Sequence, residues 1–510
     1  MVSDEALAAT RPERPLATPL AELGDWLRRV DPDATVRGDL AGLEATGVSL
    51  SSQRVRPGDV YAALPGSRAH GIEFAAAAVA QGAVAILTDA EGAERAADLG
   101  VPLLVVEQPR RVLGRFAARV YADPAASLRM IGVTGTQGKT TTTRLAESGL
   151  ELAGIPAAVI GTVGTRVGGV DLKTTLTTPE APDLHGLFAM MRERHVAACA
   201  MEVSSHALVM GRVDGVVFDV AAFTNLSQDH LDFHDDMDDY FAAKASLFTP
   251  ERARLGLVNI DDEHGRRLAA EAAIPVRTFS LEGREADWSA VDVELTATGS
   301  TFVVIGPHGL AVEAGVPLPG DFNVANALAA IAACAEAGFD AGRVAAAMAA
   351  GGGVPGRLER VDAGQDCLVF VDYAHKPDAV AAAIRTLRPL TGGQVIVVLG
   401  AGGDRDPGKR PIMAGIAARL ADVLVVTDDN PRTEDPAAIR AAMLAGTADG
   451  SAEVVEIGDR RSAIREALRR ARPGDIVLVA GKGHESGQEV DGVVHPFDDR
   501  EVVREEVAAR

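Results

Sequence analysis

LRMIGVTGTQGKTTTTRLAESGLELAG, residues 128–154, is the stretch that decides the fold. An apolar run (128–133) stops at a glycine-rich turn. A helical pattern (139–153) begins at once and is closed by Gly154. Strand, glycine loop and helix in that order form a phosphate cradle. The glycines let backbone N–H groups turn inward to meet phosphate oxygens, and the helix N-terminus favours an anion. Gly135, Thr136, Gln137, Gly138, Lys139, Thr140 and Thr141 make up the loop and the first turn. Lys139 supplies charge, and Thr140 supplies a hydroxyl for Mg2+. The competing reading is an ordinary glycine turn with a surface lysine, and the strand–loop–helix order favours phosphate.

Downstream, strand-like runs at 157–160, 197–203, 216–223 and 256–259 alternate with helical patterns. That alternation predicts an α/β fold with a largely parallel sheet covered on both faces. Residues 287–316 read as β-rich, and 323–337 as a helix ending at Gly338. Upstream, an amphipathic helix at 111–121 follows a small α/β unit with strand-like runs at 59–64, 83–88 and 102–106. Residues 1–18 read as a disordered lead-in. GGGVPG (351–356) is the best linker in the chain. Beyond it a third α/β pattern places strands at 368–372, 394–399, 422–427, 453–457 and 475–480. Three domains are expected, 1–107, 108–355 and 356–510. Ligands in open sheets bind beyond the carboxyl ends of strands. In the third domain the polar loops 400–410, 428–435 and 481–485 fall there.

The length of 510 residues fits about three domains. With 50 Lys+Arg against 72 Asp+Glu, the net charge of −22 excludes a broad nucleic-acid or anionic-membrane surface. Aromatics at 4% exclude base-stacking platforms. Cys199, Cys334 and Cys367 form no CxxC, which argues against a thiolate metal site or a disulfide framework. The opening MVSDEALAATRPERP lacks the basic-then-apolar order of a signal peptide, and no apolar stretch reaches membrane-spanning length. A cytoplasmic protein without membrane insertion is expected, acting as a monomer.

Further residues carry chemistry by their placement. Glu202 ends the 197–203 run, where a carboxylate can hold Mg2+; alone it reads equally well as a structural acid. NLSQDHLDFH (225–234) concentrates acids and histidines, including His230, and alone it reads equally as a solvated loop. In YFAAKASLF (240–248), helical spacing puts Lys244 amid Tyr240, Phe241, Leu247 and Phe248. It is either a lysine snorkelling over apolar surface or a neutral amine converted to a carbamate. Arg357 and Asp372 read as a domain-junction ion pair or as nucleotide contacts. DNPR (429–432) puts an amide and a guanidinium on a stiff turn suited to a carboxylate.

Together these pieces resemble the Mur ligase family, ATP-dependent amino-acid ligases of peptidoglycan precursor synthesis. Within it they resemble the members that add the third residue of the stem peptide. The carriers are GTQGKTT (135–141), MEVSSH (201–206), NLSQDHLDFH (225–234), YFAAKASLF (240–248), NVANALAA (323–330), GRLE (356–359), DYAHKPD (372–378), GGDRDPGKR (402–410), DNPR (429–432) and GKGHE (481–485), in family order over nearly the whole chain. The resemblance implies a small N-terminal α/β domain for the UDP-sugar, a central ATPase-like domain and a C-terminal Rossmann-like domain.

The resemblance also implies roles. Lys139, Glu202, His230 and Lys244 are the catalytic set, with Lys244 as N6-carboxylysine. Thr140, Glu202, His230 and Lys244 surround Mg2+. Asn326, Arg357 and Asp372 join the glycine loop in holding ATP. Leu50, Ser52, Ser67, Arg68 and Ala69 hold the uridine nucleotide, and Thr177, Thr178, Ser204, Arg212 and Lys244 hold the muramoyl dipeptide. Arg405, Asp429, Asn430, Pro431, Arg432, Gly481 and Glu485 hold the incoming diaminopimelate, in its meso form. The implied reaction joins it to UDP-MurNAc-L-Ala-D-Glu through an acyl phosphate. The chain departs from the family pattern at Gln137, Leu176 and Met210, where asparagine, asparagine and glutamine are usual. A purely regulatory nucleotide-binding protein is disfavoured by the retained Lys139, Glu202, His230 and Lys244.

Overall fold

A computed structural model describes residues 10–172, 174 and 176–509. The chain divides into two compact units. Met1–Ser289, Val304–Val312 and Asn326–Met348 form the first; Ala290–Val303, Glu313–Ala325 and Ala349–Arg510 form the second.

The decisive strand, Arg129–Thr134, carries Met130, Ile131 and Val133 with no exposed surface. It lies inside an eleven-stranded mixed sheet. The sheet order is Val170–Leu172, Gly164–Val167, Ala157–Gly161, Ala198–Glu202, Arg129–Thr134, Phe218–Phe223, Ala253–Asn259, Val276–Ser280, Trp288–Thr296, Gly299–Gly306, Leu310–Val316. The strands from Ala157–Gly161 to Val276–Ser280 are all parallel. Such strands are buried on both faces, which is why they read as unbroken apolar runs. An antiparallel hairpin, Gly164–Val167 with Val170–Leu172, lies outside the expected set. Strands of four and three residues are too short to show a period of two.

A five-stranded sheet in the first unit holds Thr35–Arg37, Leu103–Val105, Ala85–Thr88, Asp59–Ala62 and Gly47–Ser49, the last four parallel. The lead-in differs from the expectation of disorder. Residues 1–9 lie outside the described residues; Thr10, Arg11 and Pro12 are buried, while residues 13–17 are exposed. Arg11 is 8% exposed; its Nη1 donates to Asp59 Oδ2 at 2.6 Å and its Nη2 to Val48 O at 2.8 Å. The N–H groups of Glu13 and Arg14 both donate to the Glu193 carboxylate, and Thr18–Pro19 pairs with Glu44–Ala45. The segment is poor in large apolar residues, so hydropathy gives no sign of order. What holds it is polar: a guanidinium on a buried carboxylate, two backbone N–H groups on Glu193 and a short strand pairing.

The second unit contains a six-stranded sheet in the order Glu359–Arg360, Leu368–Asp372, Ile476–Ala480, Val395–Ala401, Val423–Asp428, Glu453–Glu456. All neighbours are parallel except the first pair. The end of the expected linker is a packed turn. Val354 is buried, and a methyl group on Gly356 (φ 65°) would lie 2.2 Å from His484 N. Among the described residues no helix is long and apolar enough to cross a membrane. All three cysteines are buried thiols.

Candidate functional site

The glycine loop forms as read. Thr134 ends the strand, Gly138 takes a left-handed conformation (φ 85°), and the helix Lys139–Leu152 starts immediately after. A methyl group on Gly138 would sit 2.4 Å from Asn326 Oδ1, so the loop and the helix Asp321–Glu336 approach as closely as glycine allows. Asn225 braces the loop from the next strand: its Oδ1 accepts from Gln137 N at 2.9 Å, and its Nδ2 donates to Gln137 O at 3.2 Å. Thr224 Oγ1 donates to the same carbonyl at 2.6 Å. Gln137 is thus held through its backbone, and its extra methylene leaves this bracing intact. Lys139 Nζ folds over the loop, donating to Gly135 O at 2.8 Å and Thr136 O at 3.0 Å.

Glu202 is 1% exposed at the end of the neighbouring strand. Its Oε1 accepts from Thr140 Oγ1 at 2.9 Å and from Thr162 N at 2.8 Å, and its Oε2 accepts from Thr162 Oγ1 at 3.1 Å. The carboxylate therefore sits directly beside the first turn of the phosphate helix. Thr162, absent from the expected set, follows Gly161 at the end of an adjacent strand.

Lys244 is 1% exposed on the helix Met237–Ala245. Its Nζ donates to Gly135 O at 2.8 Å and lies 4.5 Å from the Tyr240 ring centroid. The snorkelling reading is therefore wrong: the head group turns inward onto the glycine loop, away from water. Tyr240 Oη is 3.2 Å from Thr136 Oγ1, and burial pushes its phenol well above the usual value. His230 (φ 55°) projects from the loop between strand and helix. Its ring lies 4.8 Å from His206 and 6.1 Å from Tyr240, with Asp229 Oδ2 at 3.3 Å. His206 also stacks on Phe233 at 3.9 Å. Burial, with the neighbouring His234, lowers its pKa.

Thr178 Oγ1 donates to Glu202 O at 2.9 Å and Thr177 Oγ1 is 3.1 Å from Thr162 Oγ1, so both expected dipeptide contacts adjoin Glu202. Ser204 caps the short helix Ser205–Val209. Arg212 donates to Glu180 Oε1 at 2.8 Å and reaches the sulfur of Met210 at 3.5 Å. Leu50 and Ser52 follow the strand Gly47–Ser49, and Ser67, Arg68 and Ala69 follow Asp59–Ala62. Both loops lie at the carboxyl ends of adjacent parallel strands, the usual ligand side of such sheets.

In the second unit Asp372 ends its strand half-buried. Its oxygens accept from Leu358 N at 2.7 Å and Ala374 N at 2.8 Å. Burial raises its pKa, against the lowering effect of the Arg357 charge. Arg357 lies over the Tyr373 ring at 4.7 Å. The three polar loops converge as read. Arg432 Nη1 donates to Gly403 O at 2.6 Å, and its Nε is 3.3 Å from Glu489 Oε2. A methyl group on Gly402 would lie 3.0 Å from Arg432 Nη1 and 3.9 Å from Arg405 Cγ, so both arginine chains flank that glycine. Pro431 is buried behind it, and Arg405 is exposed. Asn430 Nδ2 donates to Glu485 Oε2 at 2.9 Å. Asp429 is 6% exposed, and a methyl group on Gly481 would meet its Oδ2 at 2.5 Å. Glu489 belongs to the hairpin Gly487–Val490 with Val493–Pro496, which sequence reasoning did not find because its second strand is exposed throughout.

Among the described residues no three His, Cys, Asp or Glu side chains gather tightly enough to cage an ion by themselves. Mg2+ commonly binds through one or two carboxylates, with substrate phosphates and water completing its shell. The buried Glu202 carboxylate, the Thr140 hydroxyl touching it and the phosphate loop alongside fit that chemistry.

The chain matches three families along its length: the Mur ligase family catalytic domain at residues 44–121, the Mur ligase middle domain at 133–334 and the Mur ligase glutamate ligase domain at 356–483. It is 56% identical over 98% of both chains to the UDP-N-acetylmuramoyl-L-alanyl-D-glutamate–2,6-diaminopimelate ligase of Streptomyces coelicolor. It is equally identical, over the same shares, to the ligase of that name from Streptomyces avermitilis. A solved structure of a ligase with the same name is 34% identical and superposes with a TM-score of 0.67, covering 95% of this chain and 98% of the other.

Proposed function

Because the chain belongs to the Mur ligase family of ATP-dependent, amide-bond-forming enzymes, we propose that it joins diaminopimelate, in its meso form, to UDP-MurNAc-L-Ala-D-Glu. The products are ADP, phosphate and the UDP-MurNAc-tripeptide of cytoplasmic peptidoglycan precursor synthesis. One observation carries the choice of amino acid. Arg432, Asn430 and Arg405 gather at one rim of the six-stranded sheet with Asp429 and Glu485, so donors for carboxylates and acceptors for ammonium groups share one place. The two Streptomyces diaminopimelate ligases that it resembles at 56% identity support the same choice.

In this reading residues 1–107 hold the nucleotide sugar, 108–355 hold ATP and 356–510 hold the amino acid. Leu50, Ser52 and Ser67–Ala69 contact the uridine nucleotide, and Thr177, Thr178, Ser204 and Arg212 orient the peptide. The 135–141 N–H groups and Lys139 hold the β- and γ-phosphates, with Asn326, Arg357 and Asp372 as further nucleotide contacts. Thr140, Glu202 and His230 would hold Mg2+, which supplies charge neutralisation at the phosphoryl group. A D-Glu side-chain carboxylate oxygen attacks the γ-phosphorus, and ADP leaves. The diaminopimelate amine then attacks the acyl carbon, and phosphate leaves. Lys244 acts as a carbamate, formed when its neutral amine adds CO2 and releases a proton. The burial of this amine favours that chemistry, since an enclosed ammonium is costly.

Arg432 already pairs with Glu489, so lysine in this site would not leave the guanidinium bare. Discrimination against lysine then rests on exchanging a half-exposed ion pair for a ligand carboxylate, worth about 1–2 kcal/mol, or roughly tenfold. The test compares kcat/KM for diaminopimelate and lysine in wild type and in Arg432→Ala. The preference should fall about tenfold in the variant. Equal use of lysine by wild type, or undiminished preference in the variant, would refute the assignment.

A further inference from the structure

Lys482 has no exposed surface, yet its ammonium lies among the polar groups of the loop rim. Its Nζ donates to Asn430 Oδ1 at 3.0 Å and to Glu485 Oε2 at 3.2 Å, and lies 3.5 Å from Asp429 Oδ1. Asn430 is held on every side. Its Oδ1 accepts a second hydrogen bond from Glu489 N at 2.9 Å, while its Nδ2 donates to Glu485 Oε2 at 2.9 Å.

The two ends of a side-chain amide have nearly the same shape and opposite hydrogen-bonding character. Rotating Asn430 by half a turn would set its NH2 against the Lys482 ammonium and the Glu489 N–H. It would also set its carbonyl against the Glu485 carboxylate. All three neighbours therefore enforce one orientation, and Lys482 is the cation among them. The same ammonium tethers Glu485, from its own turn, to the Asp429–Asn430 turn.

A second buried cation nearby is closed onto a carboxylate of its own. Arg460 is enclosed and closed onto Asp499, with Nε–Oδ1 at 2.8 Å and Nη2–Oδ2 at 2.7 Å; its Nη2 also donates to Ala480 O at 3.0 Å. Arg460 neutralises Asp499, which leaves Lys482 as one positive charge between the carboxylates of Asp429 and Glu485. That trio carries one net negative charge. One negative charge beside an oriented amide donor suits a zwitterion: its ammonium against the carboxylates, its carboxylate on the second Asn430 N–H.

We propose that Lys482 is the positioning residue of the amino-acid site, acting through Asn430 and Glu485 without touching the substrate. This rests on the amino-acid site proposed above. Removing the charge frees the amide to rotate and lets the Glu485 carboxylate swing, so the amino acid loses affinity while the phosphate loop is undisturbed.

The experiment measures KM for amino acid, for ATP and for UDP-MurNAc-dipeptide, together with kcat, in full-length Lys482→Met, Asn430→Ala and the double variant. Lys482→Met should raise the amino-acid KM at least tenfold and leave the other two KM values within twofold. In the double variant the amino-acid KM should rise by clearly less than the product of the two single effects, because the lysine works in part through the amide. Lys482→Gln, whose amide can still donate to Asn430 Oδ1, should give an intermediate KM, and it carries the test if Lys482→Met does not fold. Equal rises in all three KM values, a fall in kcat alone, or additive effects in the double variant would overturn the proposal. The comparison is made on whichever amino acid wild type ligates. A wrong substrate assignment then shows in wild type, and a wrong role for Lys482 shows in the variants.

Discussion

Glu147 sits two turns into the phosphate helix at 1% exposure. Among the described residues its Oε1 has no hydrogen-bond partner, and Arg166 Nε is 3.8 Å away, beyond bonding distance. Burial pushes its carboxyl from 4.5 up to about 7, against the lowering effects of Arg166 and Arg144. The folded chain therefore keeps this proton to higher pH than the unfolded chain. Its stability is intact below about 4.5 and declines as pH rises through 7. Fully ionised, the group costs the fold roughly 3 kcal/mol relative to the unfolded chain. Glu147→Gln keeps the shape and removes the titration. Its own buried amide carries a penalty of about 1–3 kcal/mol, but one that does not change with pH. The variant should thus gain on wild type from pH 5 to about pH 7 and level off above it. Thermal midpoints of both proteins at each pH read this directly as a difference that grows by several degrees. A difference that stays flat over that range would mean that Glu147 is ionised throughout, and would refute the reasoning.

Lys139→Ala should abolish turnover while the thermal midpoint stays within a few degrees of wild type, since the change removes a charge over the loop and no core volume; near-normal ligation by the folded variant would sink the phosphate assignment. Lys244→Ala should be nearly inactive and partly recovered by small carboxylates, whereas recovery by small amines would contradict the carbamate. Gly138→Ala sets a methyl group 2.4 Å from Asn326 Oδ1 at φ 85°, strain of about 1–2 kcal/mol before the clash. It should raise the KM for ATP at least tenfold, and an unchanged KM would show that the loop does not hold the nucleotide.

The phosphate loop was legible because strand period, glycines and helix start are consecutive in the chain. Helical spacing also told correctly that Lys244 faces apolar neighbours. It could not tell that the ammonium meets Gly135 O, 109 positions away. Thr162 escaped notice for the same reason: its bond to Glu202 depends on two strand ends becoming neighbours in the sheet. The Arg432–Glu489 pair was hidden because the hairpin carrying Glu489 is exposed and lacks apolar alternation. At the N-terminal end, Arg11 on Asp59 and two backbone N–H groups on Glu193 hold a segment whose composition reads as unstructured. Local patterns thus revealed the elements and their chemistry, while the contacts that brace each functional side chain arise from pairings distant in sequence.

The central claim is the identity of the joined substrates. The most direct measurement incubates purified protein with ATP, Mg2+, UDP-MurNAc-L-Ala-D-Glu and a panel of amino acids, recording phosphate release and product mass together. Phosphate should appear in quantity only when the dipeptide and diaminopimelate are both present, with a product heavier by one diaminopimelate less one water. Phosphate release that ignores the dipeptide, or faster product formation with a different amino acid, would contradict the account.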